Sequence, residues 1–171
     1  MPSWDHSFEN WLWREAAVEP VAGAPDATAV VFDLDGVLSD ASRRQHFIEY
    51  PRRDWEAFFH ACGDDDLIDE VGRLLEVLDP RHSVVLLTAR PIRVQPQTLA
   101  WLKRYGLRWD VLIMRDFGDY AAARVFKQRT VAELRSRGFD LRLAFEDDPR
   151  NVHMFHSEGV PCVYIHSGYY E

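Results

Sequence analysis

The sequence predicts an α/β fold of three layers, in which helices cover both faces of a parallel β-sheet. Short apolar runs typical of buried strands alternate along the chain with longer segments of helical periodicity. Glycine or proline residues separate many of these segments. Polar side chains follow several of the apolar runs, at the sheet edge where Rossmann-like sheets bind their ligands.

Length, charge and cysteine content narrow the class of protein. The 171 residues suit one domain, and the formal net charge of -8 argues against broad, non-specific binding of nucleic acid. No apolar run resembles a membrane span or a secretory signal. The cysteines Cys62 and Cys162 lack the spacing of a metal site. We therefore expect a cytoplasmic protein without a membrane partner.

Residues 1–27 are predicted to precede the domain as a helix and a linker. Helical spacing over residues 3–17 is shared by Trp4, Phe8, Trp11 and Leu12. We expect this helix to pack on the domain surface. Alternatively, it docks a partner protein or a second copy of the chain, because exposed tryptophans favour interfaces. Residues 18–27 contain the proline and glycine of a linker, so the domain is predicted to span residues 28–171.

The first predicted strand of the domain, residues 28–34, leads into two acids, Asp33 and Asp35. Residues i and i+2 of a strand point to the same side, and Gly36 allows a sharp turn directly after them. Two carboxylates this close need a bound cation or a retained proton. Such a pair suits nucleophilic attack on phosphorus or binding of Mg²⁺, although it also fits an acidic turn that caps a helix.

A small helical insert is predicted to follow this strand, at about residues 41–66. Residues 54–61 read as a short helix with Trp55, Phe58 and Phe59 facing inward. The basic residues of the segment are Arg43, Arg44, Arg52 and Arg53. They form either a solvated face or a patch that contacts phosphate. One of the acids in residues 63–66 is expected to cap the next helix, residues 67–78.

The rest of the chain continues the alternation of strands and helices. Further strands are predicted at residues 83–87, 110–114, 141–145 and 160–165, and further helices at residues 97–105, 121–137 and 151–157. The polar residues that follow these strands are Thr88, Arg115 and Glu146-Asp147-Asp148. Because parallel strands end at one edge, we expect them to lie beside Asp33 and Asp35.

These residues, in this order, resemble the motifs of the haloacid dehalogenase-like (HAD) phosphohydrolase superfamily over residues 28–171. The motifs are Asp33-Leu-Asp35-Gly-Val-Leu-Ser-Asp40, Thr88, Lys127 and Glu146-Asp147-Asp148. Within the superfamily, the chain is most similar to the phosphatase domain of polynucleotide kinase-phosphatases. The stretches that carry this similarity are Thr88-Ala-Arg90, Arg115-Asp-Phe-Gly-Asp119, Leu143-Ala-Phe-Glu-Asp147 and Ser167-Gly168.

The resemblance implies a phosphomonoester hydrolase that works through an aspartyl-phosphate. Asp33 would attack phosphorus, and Asp35 would protonate the leaving alcohol and then activate water. Thr88 would bind a phosphoryl oxygen, and Lys127 would hold Asp33 and the phosphate by its charge. Additional phosphate contacts would come from Arg90 and Arg115, whose alternative role is to brace the acidic cluster through ion pairs.

The resemblance also implies Mg²⁺ as the cofactor. Its ligands would be the Asp33 carboxylate, the main-chain carbonyl of Asp35 and an acid of the last motif. We expect Asp147 to bind the metal directly, with Glu146 or Asp148 as an outer partner.

The expected substrate is a phosphorylated molecule, and the resemblance implies a nucleic-acid 3′-phosphate end. A small insert predicts an open site that admits a polynucleotide end. Two alternatives stay open: a phosphatase of mononucleotides or sugar phosphates, and a non-catalytic HAD-like module that docks a partner through Trp4, Trp11 and Trp13. The sequence has no GxxxxGK[ST] motif, so we expect any kinase to be a separate chain or absent.

Overall fold

The computed structural model describes residues 9–14 and 27–170, in which helices pack on both faces of a mostly parallel sheet. The strands are β1 (Trp11–Trp13), β2 (Thr28–Phe32), β3 (Ser39–Asp40), β4 (Asp66–Leu67), β5 (Ser83–Pro91), β6 (Val111–Arg115), β7 (Asp140–Glu146) and β8 (Cys162–Tyr164). The α-helices are α1 (Trp55–His60), α2 (Asp69–Val77), α3 (Gln95–Arg104), α4 (Ala123–Ser136) and α5 (Pro149–Ser157). The predicted α/β fold class is confirmed.

Within the described residues, six strands form the main sheet in the order β1-β6-β5-β2-β7-β8. Strands β2, β5, β6, β7 and β8 are parallel to one another, and β1 is antiparallel to β6. Strands β3 and β4 form a separate antiparallel pair. Since β2 lies between β5 and β7, the residues that follow it are central at the carboxyl edge of the sheet.

Side chains that alternate along the central strand divide the core into two halves. Val30 and Phe32 pack with apolar residues of α2 and α3, whereas Ala29 and Val31 pack with those of α4 and α5. All four residues are at most 2% exposed. A strand covered on both faces needs apolar side chains at every position, which explains the continuous apolar run in the sequence.

The predicted N-terminal helix is wrong at Trp11–Trp13, because these residues form β1 along the edge of β6. Trp11 is buried, with the Arg137 guanidinium 4.1 Å from the centroid of its ring, and Trp13 stacks on Phe139 at 6.0 Å. Trp11 is therefore buried within its own chain, and Trp13 is half-buried against the core. The remaining parts of the predicted helix and linker, including Trp4, lie outside the described residues, except for residues 9, 10, 14 and 27.

The segment between β3 and β4 contains 3₁₀-helices at Ser42–Ile48 and Ala61–Asp64 in addition to α1. Phe58 is buried as expected, but Trp55 is 48% exposed, so its predicted inward orientation is wrong. Arg44 is also buried, and it belongs to no surface patch because it pairs with Asp65 at 2.6 Å. The expected acidic cap of α2 is wrong: in the described chain no side chain caps this helix, whose N-cap residue is Ile68.

In the parts of the chain that the structure describes, no helix combines the length and the apolar character that a membrane span needs.

Candidate active site

The strands β2, β5, β6 and β7 direct their carboxyl ends to one edge of the sheet, beside a cavity of about 770 Å³. The candidate site residues that line this cavity are Asp33, Asp35, Thr88, Arg90, Arg115, Lys127 and Asp148. Glu146 and Asp147 are both 1% exposed, and their carboxylates lie beside that of Asp33. The fold thus brings all the sequence-predicted site residues to one place.

Asp33 directly follows β2, and its carboxylate is almost completely buried. Its Oδ1 accepts a hydrogen bond from the Leu34 amide at 2.8 Å and lies 3.1 Å from Lys127 Nζ. Burial raises the pKa of Asp33, the Glu146 carboxylate raises it further, and Lys127 offsets only part of this rise. A neighbouring cation would therefore stabilise the ionised carboxylate.

Lys127 lies on the buried face of α4 and joins Asp33 to the last acidic motif. Its Nζ donates a short hydrogen bond to Glu146 Oε1. Burial alone would lower the pKa of Lys127, but Asp33 and Glu146 raise it above its ordinary value. The ammonium group therefore stays charged beside Asp33, where a phosphoryl group would bring further negative charge.

Glu146 uses both carboxylate oxygens to hold protein groups. Besides Lys127, Oε1 accepts from Asn151 Nδ2 at 3.1 Å. Oε2 accepts from the backbone amides of Asp147 at 3.1 Å and Asp148 at 3.4 Å. With these contacts, Glu146 sets the position of Lys127 and of the chain that carries Asp147.

Asp147 differs from Glu146, because neither of its buried oxygens has a hydrogen-bond partner within residues 9–14 and 27–170. One carboxylate oxygen from each of Asp33, Glu146 and Asp147 lies within 4.8 Å of the others. Burial raises the pKa of Asp147 to about 7, and the nearby Ser167 hydroxyl only partly counteracts this. Unsatisfied buried carboxylate oxygens are costly, and an all-oxygen set of this kind suits a hard divalent cation.

Gly36 makes room for Asp147. A Cβ atom at this position would lie 2.1 Å from Asp147 Oδ2, and the glycine has φ +81°, a conformation that other residues rarely adopt. The turn after Asp33 and Asp35 therefore has to be a glycine for two independent reasons.

Asp148 is the N-cap of α5. Its Oδ1 accepts from the Arg150 amide at 2.9 Å, and its Oδ2 pairs with Arg150 Nη2 at 2.9 Å. Both oxygens are thus engaged with the first turn of the helix.

Asp35 differs from Asp33 because it is held by two arginines. Its Oδ1 accepts from Arg44 Nη2 at 2.7 Å and from Arg90 Nη2 at 2.6 Å. Burial would raise the pKa of Asp35, but Arg90 and Arg44 lower it to about 2. The two neighbouring acids therefore have pKa values displaced in opposite directions.

The sequence does not predict the pairing of Arg44 with Asp65: it assigns Arg44 to a solvated face or a phosphate-contacting patch, and Asp65 to the acids that cap a helix. Arg44 is 2% exposed and bridges Asp35 to Asp65, and Arg90 Nη2 also lies 3.6 Å from Asp65. Arg44 and Asp65 are 21 positions apart, so no local spacing in the sequence signals their contact. Their burial, visible only in the fold, distinguishes them from the exposed charges nearby.

Thr88 and Arg90 lie in the last part of β5 and Arg115 is the last residue of β6, and all three line the cavity. The Thr88 hydroxyl oxygen accepts from the Arg90 amide at 3.1 Å, which leaves its proton available to a ligand. Arg90 is completely buried and, besides Asp35, contacts Thr98 and Ser39. Arg115 donates to the carbonyls of Ala89, Asp119 and Ala121, so it ties down the loop that follows β6.

The family model described as the polynucleotide kinase PNKP phosphatase domain matches residues 27–170 of this chain. The chain belongs to this family. Membership of the PNKP phosphatase domain family confirms the resemblance drawn from the motifs. It also confirms the predicted enzyme class, a phosphatase that hydrolyses phosphomonoesters.

Solved structures show the same fold. A chain of the Pnkp1/Rnl/Hen1 complex superposes with a TM-score of 0.71 at 23% identity, over 90% of this chain and 50% of that chain. A chain of the Pnkp1/Rnl/Hen1 RNA repair complex gives 0.69 at 22% identity, over 90% and 47%. The chain thus spans about half the length of these neighbours. A haloacid dehalogenase-like hydrolase from Streptococcus pneumoniae gives 0.54 at 16% identity, over 82% and 85%. Comparison with curated proteins found no match.

Proposed function

We propose that this PNKP-type phosphatase domain is a Mg²⁺-dependent enzyme that removes terminal 3′-phosphates from nucleic acid through an aspartyl-phosphate. The observation that carries the mechanism is the Asp33-Glu146-Asp147 cluster, in which Asp147 has two unpartnered buried oxygens beside a carboxylate that Lys127 holds. Such a cluster can bind a cation and keep the Asp33 nucleophile ionised at the same place in the cavity.

Asp33 is the proposed nucleophile. Its Oδ1 is held by Leu34 and Lys127, and the carboxylate faces the cavity. In the first step an Asp33 oxygen forms a bond to phosphorus while the bond from phosphorus to the ester oxygen breaks, and the leaving oxygen takes a proton from Asp35. Lys127 and the Thr88 hydroxyl stabilise the negative charge of the phosphoryl oxygens.

Asp35 serves as the proposed base of the second step. Water gives its proton to Asp35 and attacks phosphorus, and the bond between Asp33 and phosphorus breaks to release phosphate. With a pKa of about 2, Asp35 is ionised in the free protein and ready for this step. To act as the acid in the first step, Asp35 must be protonated. The negative charge of a bound phosphate would raise the pKa of Asp35, because a nearby like charge disfavours the ionised carboxylate.

Mg²⁺ would be held by the carboxylates of Asp33 and Asp147 and by the main-chain carbonyl of Asp35. When bound, the metal supplies positive charge between the carboxylates and the phosphate. Glu146 and Asp148 are better suited to positioning other groups than to binding the metal. The Glu146 carboxylate already accepts hydrogen bonds from Lys127, Asn151 and backbone amides. The Asp148 carboxylate accepts hydrogen bonds from the first turn of α5.

Family membership supports a polynucleotide as the substrate, since the matching family is that of polynucleotide kinase phosphatase domains. The neighbours from the RNA repair complex support the same class, and they also support partner proteins. We assign Arg90 and Arg115 indirect roles: their contacts to Asp35 and to loop carbonyls favour positioning over direct binding of phosphate.

The test is phosphate release with Mg²⁺ from an aryl phosphate, 3′- and 5′-mononucleotides and an oligonucleotide with a 3′-phosphate. We expect the oligonucleotide to have the highest kcat/KM and Asp33→Asn to abolish turnover of every substrate. Asp64→Asn is the matched control, because Asp64 is an exposed acid outside the cavity wall. A preference for mononucleotides would instead assign the enzyme to small substrates, and full activity of Asp33→Asn would refute the mechanism.

A further inference from the structure

The cavity is larger than a phosphoryl group requires, since about 770 Å³ is the size of a pocket for a much larger ligand. Away from the carboxylates, its wall comes from three separate elements. These are α1 with Trp55, the turn after β5 with Arg93, and the loop between β6 and α4 with Tyr120. The wall thus combines aromatic rings with a guanidinium group beside the proposed phosphate site.

Arg93 is distinguished from the other cations of the cavity by its contacts. The basic residues that line the cavity are Arg90, Arg93, Arg115, Lys127 and Arg150. Four of them are bonded to carboxylates or carbonyls of the protein, as described above for each. The half-buried Arg93 has neither an ion pair nor a side-chain hydrogen bond within residues 9–14 and 27–170. It is therefore available to an anionic group of a ligand.

Two aromatic residues of the wall expose much of their surface. Tyr120 is 92% exposed and Trp55 is 48% exposed. The Trp55 ring stacks on Phe59 with centroids 6.0 Å apart and meets the edge of Phe58 at 5.7 Å, so its orientation is supported from within α1. Exposed rings and a cation on the wall of one cavity are typical of surfaces that bind unpaired nucleotides.

We propose that this wall is a subsite for the nucleotide that carries the terminal phosphate. Trp55 and Tyr120 stack on its unpaired base, and Arg93 binds the phosphodiester that joins it to the preceding nucleotide. This inference rests on the proposed function. The protein carries a net charge of -8, so most of its surface repels a nucleic-acid backbone. Arg93 can therefore bind one phosphodiester near the site but not a long stretch of the strand. A base-paired end cannot stack in this way, so the subsite selects single strands.

The experiment compares three dinucleotides with a 3′-phosphate: one with the natural linkage, one with an uncharged methylphosphonate linkage, and one without the terminal base. We expect Arg93→Ala to lower kcat/KM on the natural dinucleotide about tenfold, the size of one charged hydrogen bond, and to lose this effect on the methylphosphonate. Trp55→Ala should lower kcat/KM about tenfold with the base present, and by much less without it.

Arg124→Ala is the matched control, because Arg124 is also an exposed arginine but lies outside the cavity wall. If wild type prefers the natural dinucleotide to an aryl phosphate, but Arg93→Ala behaves like Arg124→Ala, the subsite is refuted and the proposed function stands. If wild type shows no preference for the dinucleotide, both are refuted. Arg93→Lys, which keeps the charge, should retain more of the preference than Arg93→Ala. An equal loss in both would also contradict the phosphodiester contact.

Discussion

At the carboxyl end of β7, the Asp147 carboxylate is positioned by its neighbours rather than by hydrogen bonds. Gly36 provides the space for Oδ2, and the Glu146 carboxylate holds the backbone amide of Asp147. The two unpartnered oxygens make this residue a local source of instability in the free protein. The same property leaves them free to bind a cation.

Gly36→Ala should therefore affect both stability and metal binding. We expect a loss of about 1–2 kcal/mol of unfolding free energy from the positive φ, together with a large loss of Mg²⁺ affinity as the new methyl group displaces Asp147. Denaturant unfolding and calorimetric titration with Mg²⁺ measure the two effects. Gly106→Ala separates them, because Gly106 has φ +60° but no atom within 4 Å of an added Cβ. Unchanged Mg²⁺ affinity in Gly36→Ala would contradict the role assigned to Asp147.

At the scale of elements, the insert is fastened to the sheet edge by buried charge. Arg44, in the 3₁₀-helix after β3, reaches Asp35 at the end of β2 and Asp65 just before β4, and it donates to the Phe58 carbonyl of α1 at 2.9 Å. Helix α1, which carries Trp55, and the loop that carries Asp35 are thus held together by one side chain. A shift of the insert would move a proposed substrate contact and a proposed catalytic group together.

Arg44→Met should destabilise the protein by about 3–5 kcal/mol, because it leaves Asp65 buried without its main partner. Arg43→Met is the matched control: its salt bridge to Asp66 is exposed, so we expect a change of less than about 1 kcal/mol. Denaturant unfolding monitored by tryptophan fluorescence measures both. Equal effects of the two substitutions would show that the buried network does not hold the insert.

For the whole molecule, binding of Mg²⁺ at the carboxylate cluster should raise the free energy of unfolding. At a Mg²⁺ concentration of about 100 times the dissociation constant, a ligand of the native state alone adds about 2.7 kcal/mol. For a domain of this size we expect Tm to rise by roughly 5–10 °C. Asp147→Asn should show little or no rise, whereas the exposed-acid control Asp64→Asn should behave as wild type in a thermal scan. A full rise in Asp147→Asn would exclude this residue as a ligand.

Local patterns in the sequence predicted the parts of the molecule that depend on local interactions. The apolar runs located the central strands, and the polar residues after them, such as Asp33, Thr88 and Asp147, came together at the sheet edge. Contacts between distant positions were missed. Arg44 pairs with Asp65, a contact between positions far apart in the chain. Residues Trp11–Trp13 pair with β6, but the sequence did not predict this strand because three apolar residues fit helical and extended periodicity equally well.

The position of β1 has a consequence for the order in which the chain can fold during its synthesis. Asn10 bonds to Met114, 104 positions later, and β1 adds to β6 from the outside of the sheet. Until β6 has left the ribosome, Trp11 and Trp13 have no strand to pack against. Contacts between residues so far apart in the chain also form slowly. Strand β1 is therefore synthesised before β6 but joins the sheet only after it, and a nascent chain exposes Trp11, which the folded domain buries.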